Sequence, residues 1–372
     1  MLLKIQPDES LTSYVRRSFF VNWSMNQAEI LEDLATYYAI RTENVRRLAK
    51  ALGWAGCYGF NRLIHSHTLM AATYVIKSDW DISYSGKQYV SLNESFSSRA
   101  VSYCPDCIRE NFQRLGFAYW SRFTSPHVTV CYKHNVELLS RCPFCDRPFT
   151  VLGHGPEVMW RKCRGRHLAE ACSVPNEDLL ALRRAKVYQR LCTSPHHIPD
   201  EQAVSVLRRK ASSAALLYEG DAKSLIESQA ESLSTLAQIL ESERLIRQAR
   251  IVRTAATVII DAITTLYESY DDFAQDLKSL VGEGRPTNAL WNTYQAGGVE
   301  SAHFVEEDYA LGTGKWSSPL PSPLSSMEKR HDDFHRFRVN IYSCCNFSLI
   351  KGKEKKQSHP NFNALPEIPR QS

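Results

Sequence analysis

The chain has 372 residues, 43% hydrophobic and 23% charged, as in ordinary globular proteins, and is long enough for two or three domains. No run of about 18 apolar residues is free of charge and the N-terminal apolar stretch is too short for a secretory signal. A membrane bundle is thereby excluded, and a reducing bacterial cytoplasm is expected, where eleven cysteines are thiols or metal ligands rather than disulfides. The net charge of +5 is uneven: residues 1–200 carry 25 Lys+Arg against 18 Asp+Glu, residues 201–372 carry 20 against 22. The basic half suits a polyanion about as well as it suits a mildly basic solvated surface.

In chain order, residues 10–21 read as a helix with Leu11, Tyr14, Val15 and Ser18 on one face and Phe19 beside them. Ser24 and Gln27 have capping-box spacing, so a second helix is expected from Met25, with Ile30, Leu31, Leu34 and Tyr38 apolar. After the connector at 39–41, Thr42 caps a third helix that carries Val45, Leu48, Ala49 and Leu52 and stops at Gly53. Two short helices with a tight connector fit a helix-turn-helix, with Arg46, Arg47 and Lys50 as candidate nucleic-acid contacts. An ordinary helical hairpin with a solvated basic face fits as well. Residues 54–98 read as loops, short helices and one short hairpin.

Between Pro199 and Pro286 there is no proline, and the composition favours helices near 201–217, 221–240, 243–269 and 271–281. Ile251, Ala255, Val258, Ile259 and Ala262 form one apolar stripe there. Residues 285–316 read as loop and helix, 317–326 (SSPLPSPLSS) as a linker, and the rest as a fraying tail.

The stretch 99–172 holds seven of the eleven cysteines. Cys104-Pro-Asp-Cys107 is followed by Cys131-Tyr-Lys-His134; Cys142-Pro-Phe-Cys145 is followed by Cys163 and, four residues on, His167. Zn²⁺ takes four tetrahedral ligands and favours thiolate and imidazole, and a Cys-x-x-Cys turn puts two sulfurs at adjacent corners. The pattern predicts two structural zinc ions: Cys104, Cys107, Cys131 and His134 hold one; Cys142, Cys145, Cys163 and His167 hold the other, with Cys172 as the alternative to His167. Four ligands per set leave no open position for catalysis. Cys57, Cys192, Cys344 and Cys345 read as buried thiols. The His196-His197 doublet reads as structural. Neither His-Glu-x-x-His, nor a deaminase-type His-x-Glu with Pro-Cys-x-x-Cys, nor a Gly-rich phosphate loop occurs, so no enzyme activity is expected.

Residues 99–167 carry 11 Lys+Arg against 5 Asp+Glu. Arg161, Lys162, Arg164 and Arg166 around Cys163 are further candidate nucleic-acid contacts, or else a solvated loop. Tyr119 and Trp120 are expected in a small core between the two fingers.

These residues together resemble the TniQ/TnsD family of transposon target-selection proteins. The likeness begins at Pro7-Asp8-Glu9-Ser10-Leu11-Thr12-Ser13-Tyr14 with Arg16. It continues through Cys104-Pro105-x-Cys107, Tyr119-Trp120, Cys131-x-x-His134, Leu138 and Cys142-Pro143-x-Cys145, over roughly residues 5–170. The second set ends here in Cys-x-x-x-His, where other members offer Cys-x-x-Cys. The resemblance implies a non-enzymatic adaptor. It would bind a CRISPR Cascade–guide RNA complex, link it to an AAA+ regulator and transposase, and act as a homodimer, with target DNA nearby or weakly contacted. The alternative it implies is a TnsD-like selector that reads an attachment site directly. The expected fold is mainly α: an N-terminal helical, helix-turn-helix-like domain (1–98), a tandem zinc-finger unit (99–172), a C-terminal helical domain (173–316), then a linker and tail (317–372).

Overall fold

Ser10 opens the first helix: the Ser13 N–H donates to Ser10 Oγ at 3.1 Å, satisfying one of the free N–H groups of the first turn. Helix α1 (Leu11–Val21) buries Leu11, Tyr14, Val15 and Ser18, as its periodicity predicts, and also Ser13 and Arg17. A computed structural model describes residues 3–21, 42–52, 63–77, 101–123, 127–150, 153–194, 198–242 and 249–282. Among these the fold is mainly helical. The expected helix from Met25, its connector, Cys57, Cys344 and Cys345, the His196-His197 doublet, the linker and the tail lie outside the described residues. Helix α2 (Thr42–Ala51) is present and buries Val45, Leu48 and Ala49.

Helix α3 (Met70–Tyr74) runs into β1 (Ile76–Lys77), which pairs in parallel with β2 (Ile198–Pro199), Ile76 opposite Ile198. This two-residue ladder ties the N-terminal region to the C-terminal helices. Those helices are α5 (Leu179–Cys192), α6 (Asp200–Ala215), α7 (Gly220–Ser242), α8 (Ala249–Leu266) and α9 (Tyr270–Gly282). The last four match the expected ranges closely. Helix α5 is an addition that the reading from Pro199 onward did not contain. Its start was nonetheless signalled: Asp178 accepts from the Leu180 and Ala181 N–H groups as a cap.

One apolar core joins Ala71, Ala72, Val75 and Ile76 to Leu191, Leu207, Leu233, Ile259, Ile263 and Phe273. Each of the Val, Leu, Ile and Phe side chains among them contributes roughly 1.5–3 kcal/mol by leaving water. Ala255, Ile259 and Ala262 of the predicted stripe are buried, and Val258 packs against them from the edge. Cys192 is a buried thiol in this core, pushed up to about 11 by desolvation, which outweighs the opposing pull of the Arg122 charge.

A second core lies in the cysteine-rich unit. Trp120, Tyr103 and Phe149 meet edge to face, with ring centroids 5.2–6.0 Å apart. Trp120 is thus the staple between the fingers that its position predicted, and its Nε1–H donates to the Pro156 carbonyl. Helix α4 (Pro105–Leu115) flanks this core, with Pro105 in its first turn and Gly116 closing it at φ 76°.

A buried ion pair braces the N-terminal motif against α1. Glu9 is fully buried and accepts from Arg17 Nε and Nη2 at 2.8 Å, from Ser13 Oγ at 3.1 Å and from the Gln6 N–H at 3.0 Å. Both carboxylate oxygens are satisfied twice, which is what makes a buried charge tolerable. The Arg17 guanidinium also lies 4.9 Å from the Phe117 ring. Next to it, Asp8 (φ 55°) pairs with Arg122 at 2.8 Å, and Arg122 Nη1 donates to the His65 carbonyl. Ser10 N–H reaches the Trp120 carbonyl and Trp120 N–H reaches Ser13 Oγ. The Pro-Asp-Glu-Ser-Leu motif is therefore a structural latch between α1 and the cysteine unit.

Candidate metal centres

The first centre is built by a helix start and a tight turn. Cys104 is the N-cap of α4, and its sulfur accepts the Cys107 N–H at 3.4 Å. This places Cys104 and Cys107 one turn apart, facing the Cys131–His134 turn. There Cys131 N–H bonds the Val136 carbonyl and the Asn135 N–H bonds the Cys131 carbonyl, with Asn135 left-handed at φ 53°. Cys107 Sγ lies 3.7 Å from Cys131 Sγ, and His134 Nδ1 lies 3.4, 3.3 and 3.6 Å from the sulfurs of Cys104, Cys107 and Cys131. A tetrahedral ion with bonds of about 2.0–2.3 Å sets its ligand atoms roughly 3.5–3.8 Å apart, so the four atoms fit zinc.

The electrostatics agree with that fit. Hydrogen bonds from the Cys104 and Cys107 thiols pull Cys131 down to about 2, while hydrogen bonds with Cys104 and Cys131 push Cys107 upward. A dication at their centre would favour the thiolate form of all three sulfurs. Glu110, on α4, meets the far ring nitrogen of His134: Oε1 is 3.0 Å from Nε2. Lys133 pairs with the same carboxylate. A carboxylate behind a ligand histidine orients the ring and raises its basicity. Sequence reading did not find Glu110; its signal was helical register, six residues after Cys104 on the face that Cys107 shares.

The second centre repeats the turn. Cys142 N–H bonds the Arg147 carbonyl and the Asp146 N–H bonds the Cys142 carbonyl, with Asp146 left-handed at φ 58°. Asn and Asp tolerate that conformation better than most residues, which is why each turn ends on one. Cys163 comes from a two-residue hairpin, Arg164-Gly165, with both residues at positive φ (50° and 80°). That is the signature of a type I′ turn.

The fourth member of this group is His154. The candidate ligand atoms of Cys142, Cys145, His154 and Cys163 all lie within 4.8 Å of one another. His154 Nε2 is buried with no hydrogen-bond partner, an orphan that an ion would satisfy. Burial first, then the neighbouring Cys145 and Cys142, pushes the Cys163 thiol up to about 12. His154 stands in Gly153-His154-Gly155, and its N–H bonds the Pro148 carbonyl at 2.7 Å. A Cβ at Gly153 would lie 2.3 Å from that same carbonyl oxygen, so the loop needs glycine there.

His167, the residue expected to complete this set, lies outside it. Both of its ring nitrogens are in use: Nδ1 accepts the Ala169 N–H at 3.0 Å and Nε2 faces the Met159 carbonyl at 3.0 Å. It caps the 3₁₀ turn Leu168–Glu170. Cys172, the alternative, is exposed. Arg109 of α4 holds the residues on both sides of it, donating to the Ala171 carbonyl and the Ser173 hydroxyl (2.7 Å each), and Cys172 lies outside both groups. His154 sits nine residues from Cys145 and nine from Cys163, in no short pair; the Gly-His-Gly triplet was its only signal.

Of the candidate nucleic-acid contacts, Arg46 and Arg47 are half-buried on α2, and the Lys50 side chain lies outside the described residues. Arg161, Lys162, Arg164 and Arg166 are all exposed beside the second centre.

The latch and the first centre coincide with a known family. Residues 1–138 match the TniQ family model, so this segment carries both the Glu9–Arg17 latch and the whole first ligand set. The likeness to TniQ proteins is thus confined to this N-terminal part of the chain. No curated protein matches the chain. No helix among the described residues is long and apolar enough to cross a membrane.

Proposed function

We infer that the chain is a non-enzymatic, cytoplasmic adaptor of transposition target selection. It binds a CRISPR Cascade–guide RNA complex and links it to the AAA+ regulator and transposase. The observation that carries this is the TniQ-matched segment built as a rigid mount, a latch and a four-ligand metal group with no position left for a substrate. In this reading two zinc ions are held by Cys104, Cys107, Cys131 and His134, and by Cys142, Cys145, His154 and Cys163. The division at 98/99, 172/173 and 316/317 and assembly as a homodimer are part of the same proposal. The zinc ions act on no bond; they fix the unit between helical regions whose surfaces meet the effector, the ATPase and a second copy.

Pull-down with the Cascade complex encoded beside it tests the reading. Stoichiometric capture of the guide-RNA complex is expected. No capture, together with an RNA-independent footprint on one genomic site, would replace it with a direct selector.

A further inference from the structure

A trough of about 640 Å³ runs along α4. Its lining takes in Cys104, Cys107 and Cys131 of the first centre, then continues to the far end of α4 and to the N-terminal motif. One wall is a stripe of α4. Cys104, Ile108, Asn111 and Arg114 recur there at helical spacing, over about 15 Å at 1.5 Å per residue. A second wall is extended chain, from which Tyr119, Ser121 and Phe123 enter the lining while Trp120 and Arg122 between them do not. That alternation is the period of two of an extended segment. Ile108, Phe123 and Val130 are buried and give the trough an apolar floor.

The charges and hydrogen bonds along it are unevenly matched. Asp8 is answered by Arg122, and Glu110 by Lys133 and His134. Arg114 is exposed at the far end of the stripe. It meets the Asn111 amide oxygen at 3.5 Å and, among the described residues, no carboxylate. Neither the Gln113 amide beside it nor the Tyr132 hydroxyl bonds another protein group among the described residues.

We propose that this trough docks a short extended segment of a partner protein, with an aliphatic side chain on the floor and a carboxylate on Arg114. Extended chain rises about 3.3 Å per residue, so four or five residues fill the length, where a compact small molecule would fill only part of it. Such a segment brings amides and carbonyls that must find partners, and Gln113 and Tyr132 have capacity to spare. A guanidinium fork without a counter-charge suits a carboxylate. A nucleic acid is the poorer match: Asp8 and Glu110 stand in the same lining, and Arg114 alone brings unmatched positive charge. The inference is independent of the adaptor reading. An empty trough leaves Cascade capture untouched, and loss of Cascade capture leaves the trough.

The test starts with a random displayed library of peptides of about 12 residues, long enough to span the trough with room to spare, selected on the full chain purified with zinc. The best sequence is then made synthetically and titrated. Selected peptides should share an aliphatic residue and, about three or four residues away, an Asp or Glu. Arg114→Ala should weaken the synthetic peptide at least about tenfold, and changing the peptide's acid to its amide should do the same. The two changes together should cost little more than either alone, because they remove one contact. Lys186→Ala, which removes an exposed cation on α5, should leave the affinity as it was, and zinc content and Tm should hold in both variants. No enriched sequence, a consensus without a carboxylate, or losses at Arg114 and at the peptide acid that simply add would overturn the proposal. So would a single-stranded RNA of similar length that displaces the peptide and depends equally on Arg114, which would give the trough to a nucleic acid.

Discussion

The two metal groups are made of the same parts and differ in what holds them. Cys131–His134 and Cys142–Cys145 sit on turns with the same two backbone hydrogen bonds and the same left-handed closing residue. The first group adds a helix: Cys104 caps α4, Cys107 lies one turn in, and Glu110 comes from the same helix to back His134. The second adds two loops, the His154 loop and the Arg164-Gly165 hairpin, and no carboxylate hydrogen-bonds the Nε2 of its His154. A ligand set on a helix follows from local register. A set on loops depends on where the surrounding core sends them, which is why the first could be written down from spacing and the second only in part.

The largest effects should come from breaking the groups themselves. Cys104→Ser should unfold the cysteine unit and, because Cys104 lies in the small core with Cys131 and Val136, abolish soluble expression. Cys145→Ser, on the half-buried group, should leave soluble protein that has lost one of two zinc ions by metal analysis. Equal behaviour of the two would erase the contrast.

Glu9→Gln is the next test, because it strikes the mount and spares every ligand. It leaves Arg17 buried without its counter-charge, and about 3–5 kcal/mol of stability should go, read from urea unfolding, with two zinc ions still bound in the folded fraction.

Exchanging the histidines separates the second set most directly. His154→Ala should lower zinc content from two to one per chain. His167→Ala should keep both and cost about 1 kcal/mol, the worth of a lost cap. The reverse outcome would restore His167 as a ligand.

Glu110→Gln should keep two zinc ions but weaken the first site about 10–100-fold, seen as faster loss of one ion to a chelator. Smallest, Asn135→Ala should cost about 1 kcal/mol by forcing a Cβ-bearing residue without a polar side chain into the left-handed region. A silent substitution there would show that the turn does not depend on its closing residue.

Much of this was legible in the residues. The buried face of α1 and the boundaries of α6 to α9 follow from helical period and proline punctuation, which are properties of the local chain. Six cysteines and His134 follow from spacing. Trp120 was placed in the core between fingers and is there. Helix α4 was hidden because Cys-Pro-x-Cys reads equally as a turn and as a helix start; it is both.

What the sequence determined by itself is therefore local: helices with one apolar face, turns that put two ligands side by side, and the chemical class of the ion they suit. The tertiary structure decided the rest. It turned an acidic N-terminal motif into a buried latch, since only folding brings Trp120 to Ser10 and Ser13 and Arg122 to Asp8. It gave the fourth place of the second group to His154 and left His167 capping a turn and Cys172 outside. A lone histidine becomes a ligand only when the packed core brings its nitrogen to the sulfurs and leaves it no other partner.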